Sequence, residues 1–400
     1  MTLPSQILTN YSHVLIDFAL GSGEGIRPGD IVYLTYDEPA KPLALKVYTR
    51  ILEKGGMPIL KMASEDFQKI LYLKASDLQL SFFPENYMKS LVDTIDHRIY
   101  LMADKNPLFL QSIDPAKIMK SQSANQKLKK WLFEKEDAGG LTWTLCLYGT
   151  PGLARQAGLS IQDYWDQIIR ACYLDREDPV GEWKRTYKEM ADVKKRLNIL
   201  CPDIDKLHVE ALDTDLWIRL GDKRKFIDGG GANIPSFELF TSPDWRGTEG
   251  KIFFDLPLYR YGTIIRDIHL EFKNGMIVSS KAGVNQQVLQ ELLSQKNANK
   301  VGEFSITDKR FSRINKFMAT TLFDENFGGE FGNTHLAVGS SYHDTYTGDI
   351  KAMKDKDWEK LGFNDSPEHT DIIATHDRTV TAHLKNGVEL VIYRGGEYRV

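Results

Sequence analysis

The sequence changes rhythm once, and that change limits the chain to a two-part fold. In its first half, helical and strand patterns alternate. PLALKVYTRILEKGG closes on Gly55 and Gly56, the residues that helix C-termini favour, and MPILKM follows as a strand. ENYMKSLVDTIDH leads into RIYLMAD, and a polar helix from about Asp114 to Glu136 leads into LTWTLCLY. Such alternation predicts an α/β domain, an open parallel sheet with helices on both faces. Gly158 to Leu200 reads as further helices, one carrying Trp165, Ile168, Ile169 and Cys172 on a stripe, another Trp183, Tyr187, Met190, Val193 and Leu197. Stripes of this kind are packing surfaces.

Beyond Lys206 the pattern turns to hairpins: HVEALDTDLWIRL, KIFFDLPLY, TIIRDIHLEFKNGMIVSSKA and TVTAHLKNGVELVIYRGGEYRV. Asn274-Gly275 and Asn386-Gly387 are strong hairpin turns. Two helices are expected among them, VNQQVLQELLSQ with Val288, Leu289, Leu292 and Leu293 facing inward, and RINKFMATTLFDENF. The break at ILCPDIDK sets the expected boundary, giving an N-terminal domain over residues 1–205 and a β-rich α+β domain over 206–400. At 400 residues and 42% hydrophobic content, the chain can bury two cores.

Charge excludes some partners. The net charge is -4, with Lys and Arg scattered among acids, so neither nucleic acid nor an anionic membrane is expected. MTLPSQILTNYSHVLIDFALGSGEG lacks the plan of a signal peptide, and no run reaches the roughly 18 apolar residues of a spanning helix. A cytoplasmic protein is the expectation. Cys146, Cys172 and Cys201 are too few and too widely spaced for a disulfide framework or a thiolate zinc site. GSGEGIRPGD follows a helix and opens a strand, the reverse of a phosphate-binding loop.

The chemistry points to EHTDII. On a strand, His369 and Asp371 lie two apart on one face, and Ile372 takes the other. Glu238 in FELF, Glu303 in VGEFSI and His335 in THLAVG likewise each interrupt a run that reads as a half-buried strand. None of these runs carries a Lys or Arg, so bound cations are the expected partners of the buried carboxylates. Two histidines and three carboxylates suit two divalent ions if one carboxylate bridges them, whichever it is. The set is too rich in carboxylate for a structural zinc, and imidazole with carboxylate favours zinc, cobalt or manganese over magnesium or calcium. A water held between such ions would be the nucleophile, and Tyr342, seven residues after His335, could donate to the oxyanion. His376 and Asp377 point to opposite faces and read as a turn, and His343 as a support for the ligands.

The runs NIPSFELFTSP, VGEFSI, TLFDENFGGEFGNTHLAVGSSY and EHTDII, in that order, resemble the metal-binding motifs of the thermophilic-type metallo-aminopeptidases, the family of aminopeptidases T, S and II. The likeness extends to TDL at Thr214–Leu216, to LDREDPVGEWK at Leu174–Lys184 and to the first 56 residues. By position, it implies metal ligands at Glu238, Glu303, His335, His369 and Asp371, a catalytic tyrosine at Tyr342, and Glu303 assisting the water. It also implies two divalent ions per chain, zinc or cobalt ahead of manganese or magnesium, release of N-terminal residues from peptides with a free amino end, and a homodimer with a partly enclosed site. Two stretches depart from the pattern: GGEFGNT before His335, whose Glu330 could face a peptide's amino group or solvent, and KAMKDKDWEKLGFND before EHTDII. The alternatives are another dimetal hydrolase acting on phosphoesters or amides, and a peptide-binding module without activity. A phosphoesterase would want Arg or Lys beside the ligands, and the four strands lack them.

Overall fold

The computed structural model describes residues 3–260 and 263–400, and the chain forms two compact units. One comprises Met1–Lys184 with Gly230–Pro235, the other Arg185–Gly229 with Ser236–Val400.

The first unit is built on four parallel strands, β1 (Ile31–Asp37), β2 (Met57–Ala63), β3 (His97–Met102) and β4 (Thr142–Leu147), in the order β2-β1-β3-β4. Asn233–Ile234 adds a fifth parallel strand beside β4, which is why this unit takes back six residues from later in the chain. The order reverses at β1, and right-handed crossovers then put the connecting helices on opposite faces. Helix Lys41–Glu53 buries Leu43, Val47 and Ile51, each worth about 1.5–3 kcal/mol when fully buried. It ends as its glycines predict, with the Gly55 and Gly56 amides bonding back to Leu52 and Ile51 and Gly55 at φ +76°.

The single polar helix expected over 114–136 is two, Pro115–Ala124 and Gln126–Asp137. Asn125 separates them, its side-chain amide donating to the Ser121 carbonyl at 2.9 Å. An Asn that bonds its own preceding turn offers the backbone an alternative to continuing the helix.

The second unit contains an eight-stranded antiparallel sheet, in spatial order Met276–Lys281, Ile268–Lys273, Glu249–Phe254, Thr214–Arg219, Ile204–Ala211, Arg378–Leu384, Glu389–Arg394 and Glu397–Tyr398. Both Asn-Gly turns make hairpins, by different means. Asn274 and Gly275 are both left-handed, at φ 51° and 76°, as a two-residue type I′ loop requires. In the second turn only Gly387 is left-handed, and Leu384 closes a longer loop onto the Val388 carbonyl at 2.8 Å.

Helix Gln286–Leu293 forms as expected and buries Leu289 and Leu292, while Val288 and Leu293 are half-buried. The helix expected over RINKFMATTLFDENF is reduced to one turn, Thr321–Asp324. There the Asp324 carboxylate accepts the amides of Met318 and Thr320, at 2.7 and 2.9 Å, and Ala319 is left-handed at φ 53°. A helix has room for neither. Among the described residues, no helix is long and apolar enough to cross a membrane.

The second sheet of this unit carries the chemistry. Its strands β5 (Glu238–Thr241), β6 (Val301–Thr307), β7 (Asn333–Gly339) and β8 (His369–Ala374) lie in the order β8-β7-β6-β5, all antiparallel, with Ile227–Asp228 beyond β5. Every residue of β6 and β7 is buried, so the expectation of half-buried strands fails for these two. Both of their faces are covered, including the polar one.

Candidate metal centre

Register places the polar residues. Residues directly opposed in a ladder share a face, and so do residues two apart on one strand. Glu303 lies opposite Ala337, which lies opposite Asp371; Ser305 lies opposite His335; His369 lies opposite Gly339; Glu238 lies opposite Thr307. All five residues singled out in the sequence therefore project from the same face, around the methyl group of Ala337. A β-bulge at Gly302 sharpens the separation. It pairs Val301 with Val338, so Val301 turns to the apolar face instead of standing beside Glu303. A side chain at Gly302 would bring a Cβ within 2.1 Å of the Ser340 carbonyl oxygen.

The side chains converge. His335 Nε2 is 3.0 Å from Glu303 Oε1, 3.1 Å from Glu238 Oε2 and 3.8 Å from Asp371 Oδ1. His369 Nε2 is 3.5 Å from Asp371 Oδ1 and 3.7 Å from Glu303 Oε2. Glu238, Glu303 and His335 form one triplet whose donor atoms lie within 4.8 Å of one another, and Glu303, His369 and Asp371 form a second. Glu303 belongs to both. Neighbouring atoms hold two of these side chains in place: Ser305 Oγ donates to Glu238 at 2.7 Å, and His369 Nδ1 donates to the Ser340 carbonyl at 2.8 Å. A carbonyl only accepts, so Nδ1 of His369 carries a proton and Nε2 is the atom left facing the carboxylates.

The donor set fits divalent cations on a structural ground. Asp371 Oδ1 is buried and, among the described residues, has no well-formed hydrogen bond, standing 3.5 and 3.8 Å from the two imidazoles. Atoms bound about 2.0–2.2 Å from one ion stand roughly 3–4 Å apart, which is the spacing found here. The electrostatics agree. Burial, with the negative charges of Asp371 and Glu238, pushes the Glu303 carboxyl up to about 7 despite its bond to His335. Burial disfavours protonated His369, but Asp371 and Glu303 outweigh it and raise the imidazole to about 9. Burial also opposes ionisation of Asp371, yet His369, His335 and Arg260 bring it down to about 2. Three carboxylates so close together and so dry need positive charge among them.

Tyr342 stands beside this group, its ring 4.8 Å from that of His369 and 5.8 Å from that of Phe240. The residue is 40% exposed, yet desolvation of its hydroxyl by the surrounding groups, together with the charges of Glu303 and Asp371, holds its pKa well above the usual value. The phenol keeps its proton and remains a donor.

Two charged residues at the site escaped the sequence reading. Glu325 is buried, and burial plus the charges of Glu238 and Asp371 hold its carboxyl well above the usual range. The same signal that marked the four strands, an acid in an apolar run without Lys or Arg, is present in TLFDENF, but the helix expected there hid it. Arg260 pairs with Glu368 at 2.5 Å and acts on Asp371 from strand Leu258–Arg260, outside the four strands in which basic residues were sought.

Other candidates lie elsewhere. His343 stacks on Trp358 at 4.0 Å. His376 and Asp377 sit in the turn after β8 and, with Asn315, Phe331 and the exposed Glu330, line a separate cavity of about 620 Å³. The three cysteines are free and buried, and burial raises the Cys146 thiol to about 12.

Comparison with known proteins adds to this geometry. A family described as thermophilic metalloprotease (M29) matches residues 5–398. Aminopeptidase AmpS of Bacillus subtilis (strain 168) is 26% identical over 98% of this chain and 98% of its own length. Aminopeptidase 2 of Geobacillus stearothermophilus is 25% identical over 96% of each chain. The solved structure of wild-type AmpT from Thermus thermophilus superposes with a TM-score of 0.83, covering 99% of both chains at 21% identity, a likeness of fold.

Proposed function

The chain belongs to the thermophilic metalloprotease family M29, and from that membership we propose that it is an aminopeptidase, releasing the N-terminal residue of peptides with a co-catalytic pair of divalent cations. The observation that carries the proposal is Glu303, shared by two triplets of donor atoms. In this reading Glu238, Glu303 and His335 would hold one ion, and Glu303, His369 and Asp371 would hold the other. The relatives named as aminopeptidases support the choice of reaction. Zinc or cobalt suits the two imidazoles best, ahead of manganese or magnesium.

Two bound cations would supply a strongly acidified water and a polarised scissile carbonyl. The remaining steps fall to this chain's own side chains. Glu303, common to both donor groups, takes the proton from the attacking water and returns it to the leaving amine. Tyr342, kept protonated by its surroundings, donates to the oxyanion. Glu325 adds a further carboxyl to the wall of the site. A cytoplasmic homodimer completes the proposal.

A panel of aminoacyl chromogenic substrates with N-blocked controls tests it, assayed after chelation and after adding back zinc, cobalt or manganese. Turnover of the free-amino substrates that is lost with the chelator and restored by metal is the expected result. Equal turnover of the N-blocked controls would remove the aminopeptidase reading.

A further inference from the structure

Tyr342 lies beyond the last residue of β7, Gly339, where ladder bonds no longer fix the backbone. Its position depends on side chains. The Tyr342 amide donates to Ser242 Oγ at 2.8 Å, and Thr345 Oγ1 donates to the Tyr342 carbonyl at 2.8 Å. Just upstream, Ser341 and Asn364 bond each other twice, and Asn364 Nδ2 donates to the Gly339 carbonyl at 2.6 Å.

Arg224 joins these anchors. It is 3% exposed, and its guanidinium donates to three main-chain carbonyls: Ser242 at 2.6 Å, Leu361 at 2.7 Å and Asp222 at 2.8 Å. Its plane lies 3.7 Å from the ring centre of Phe363, the residue before Asn364. Its own backbone forms an antiparallel bridge to Tyr346, and the next residue, Lys225, bonds to the Thr345 carbonyl at 2.9 Å. One side chain thus touches both Ser242, which holds the Tyr342 amide, and the Leu361–Phe363 turn, which carries Asn364.

Phe363 belongs to a small core with Tyr346 and Trp358, packed by Ile350, Met353 and Leu361. That core is made largely from KAMKDKDWEKLGFND, so the charged stretch before EHTDII is folded around an apolar centre.

Burying a guanidinium against neutral carbonyls is costly, and burial lowers its pKa to about 10. An apolar residue would fill the space without that cost. What an apolar residue cannot do is fix three carbonyls from separate segments with one planar fork. We propose that Arg224 is a positioning residue for the reaction, holding the Tyr342 hydroxyl at the metal centre through Ser242 and through Phe363–Asn364. The inference rests on the reading of Tyr342 given above.

The test compares Arg224→Lys, which keeps the charge and loses the fork, and the milder Ser242→Ala, each alone and combined with Tyr342→Phe. With an aminoacyl p-nitroanilide, Arg224→Lys is expected to lower kcat about tenfold to a hundredfold, a loss typical of a catalytic group displaced by about an ångström. KM and cobalt uptake by equilibrium dialysis stay within about twofold of wild type. Placed on Tyr342→Phe, the same substitution costs less than about a further twofold, because the group it positions is already gone.

The second readout does not depend on turnover. In protein labelled with 3-fluorotyrosine, the 19F resonance absent from Tyr342→Phe is assigned to Tyr342, and it shifts or broadens in Arg224→Lys and in Ser242→Ala. Equal losses with and without Tyr342, or an unmoved resonance, overturn the role of Arg224 alone. Wild-type kcat in Tyr342→Phe overturns the reading of Tyr342 and this inference with it.

Discussion

Glu303 and Asp371 occupy one row of the sheet with a single residue, Ala337, between them. Ala337 is fully buried, and its methyl group is all that stands in the row between the two carboxylates. Replacing it with Leu puts three more carbons into the space where the donor atoms converge. We expect Ala337→Leu to weaken zinc or cobalt binding at least tenfold by equilibrium dialysis, a loss of about 1.4 kcal/mol or more. Ala337→Gly leaves the space open and should retain the metal.

Glu303→Gln separates chemistry from folding. Turnover should fall by about 10²–10⁴-fold, the usual contribution of a positioned acid or base, or further if the metal pair is also weakened. The fold should survive, because the carboxyl is crowded by Asp371 and Glu238 and its removal relieves that repulsion. After chelation, the variant should therefore melt at or above the wild-type temperature. A lower melting point would mean that the carboxylate contributes more to folding than its crowding costs.

Tyr342→Phe keeps the ring contacts to His369 and Phe240 and removes the hydroxyl alone. We expect kcat to drop about 10²–10³-fold, as for loss of one oxyanion donor, with KM and metal content nearly unchanged. A rise in KM at constant kcat would assign the hydroxyl to substrate binding instead.

Asp324 gives a pH signature outside the ligand set. Burial pushes its carboxyl up to about 8, although two backbone amides oppose the shift. Its folded pKa lies above the unfolded value of about 4, so between those limits the folded chain holds the extra proton. Its contribution to stability is complete below that window and is lost as pH rises toward 8. In melts of the chelated protein at pH 5 and pH 8, the drop should be smaller in Asp324→Asn than in wild type, even if the variant melts lower throughout.

The sequence made the faces of this site readable and left its neighbours hidden. His369 and Asp371 could be placed together because an alternation of two is local, and each of the other three candidate donors, Glu238, Glu303 and His335, stood out as an ionisable residue in an apolar run. Which strands adjoin is a matter of pairing over long separations, and only the ladders β8-β7-β6-β5 supply it. Glu325 was missed for a related reason: TLFDENF has helical composition, and the Asp324 bonds that break the helix involve residues whose backbone geometry the composition does not reveal. Arg224 carried no local signal at all, since a guanidinium bonded to carbonyls from residues 222, 242 and 361 is defined by the folded chain.

The four strands draw their donors from positions 238 to 371, so no fragment that stops short of β8 can assemble the pair of triplets. As the chain is translated, its β5 and β6 segments emerge with acids but neither histidine, and β8 follows last of the four. Until β8 pairs with β7, His369 and Asp371 are missing from the shared face and the second triplet does not exist.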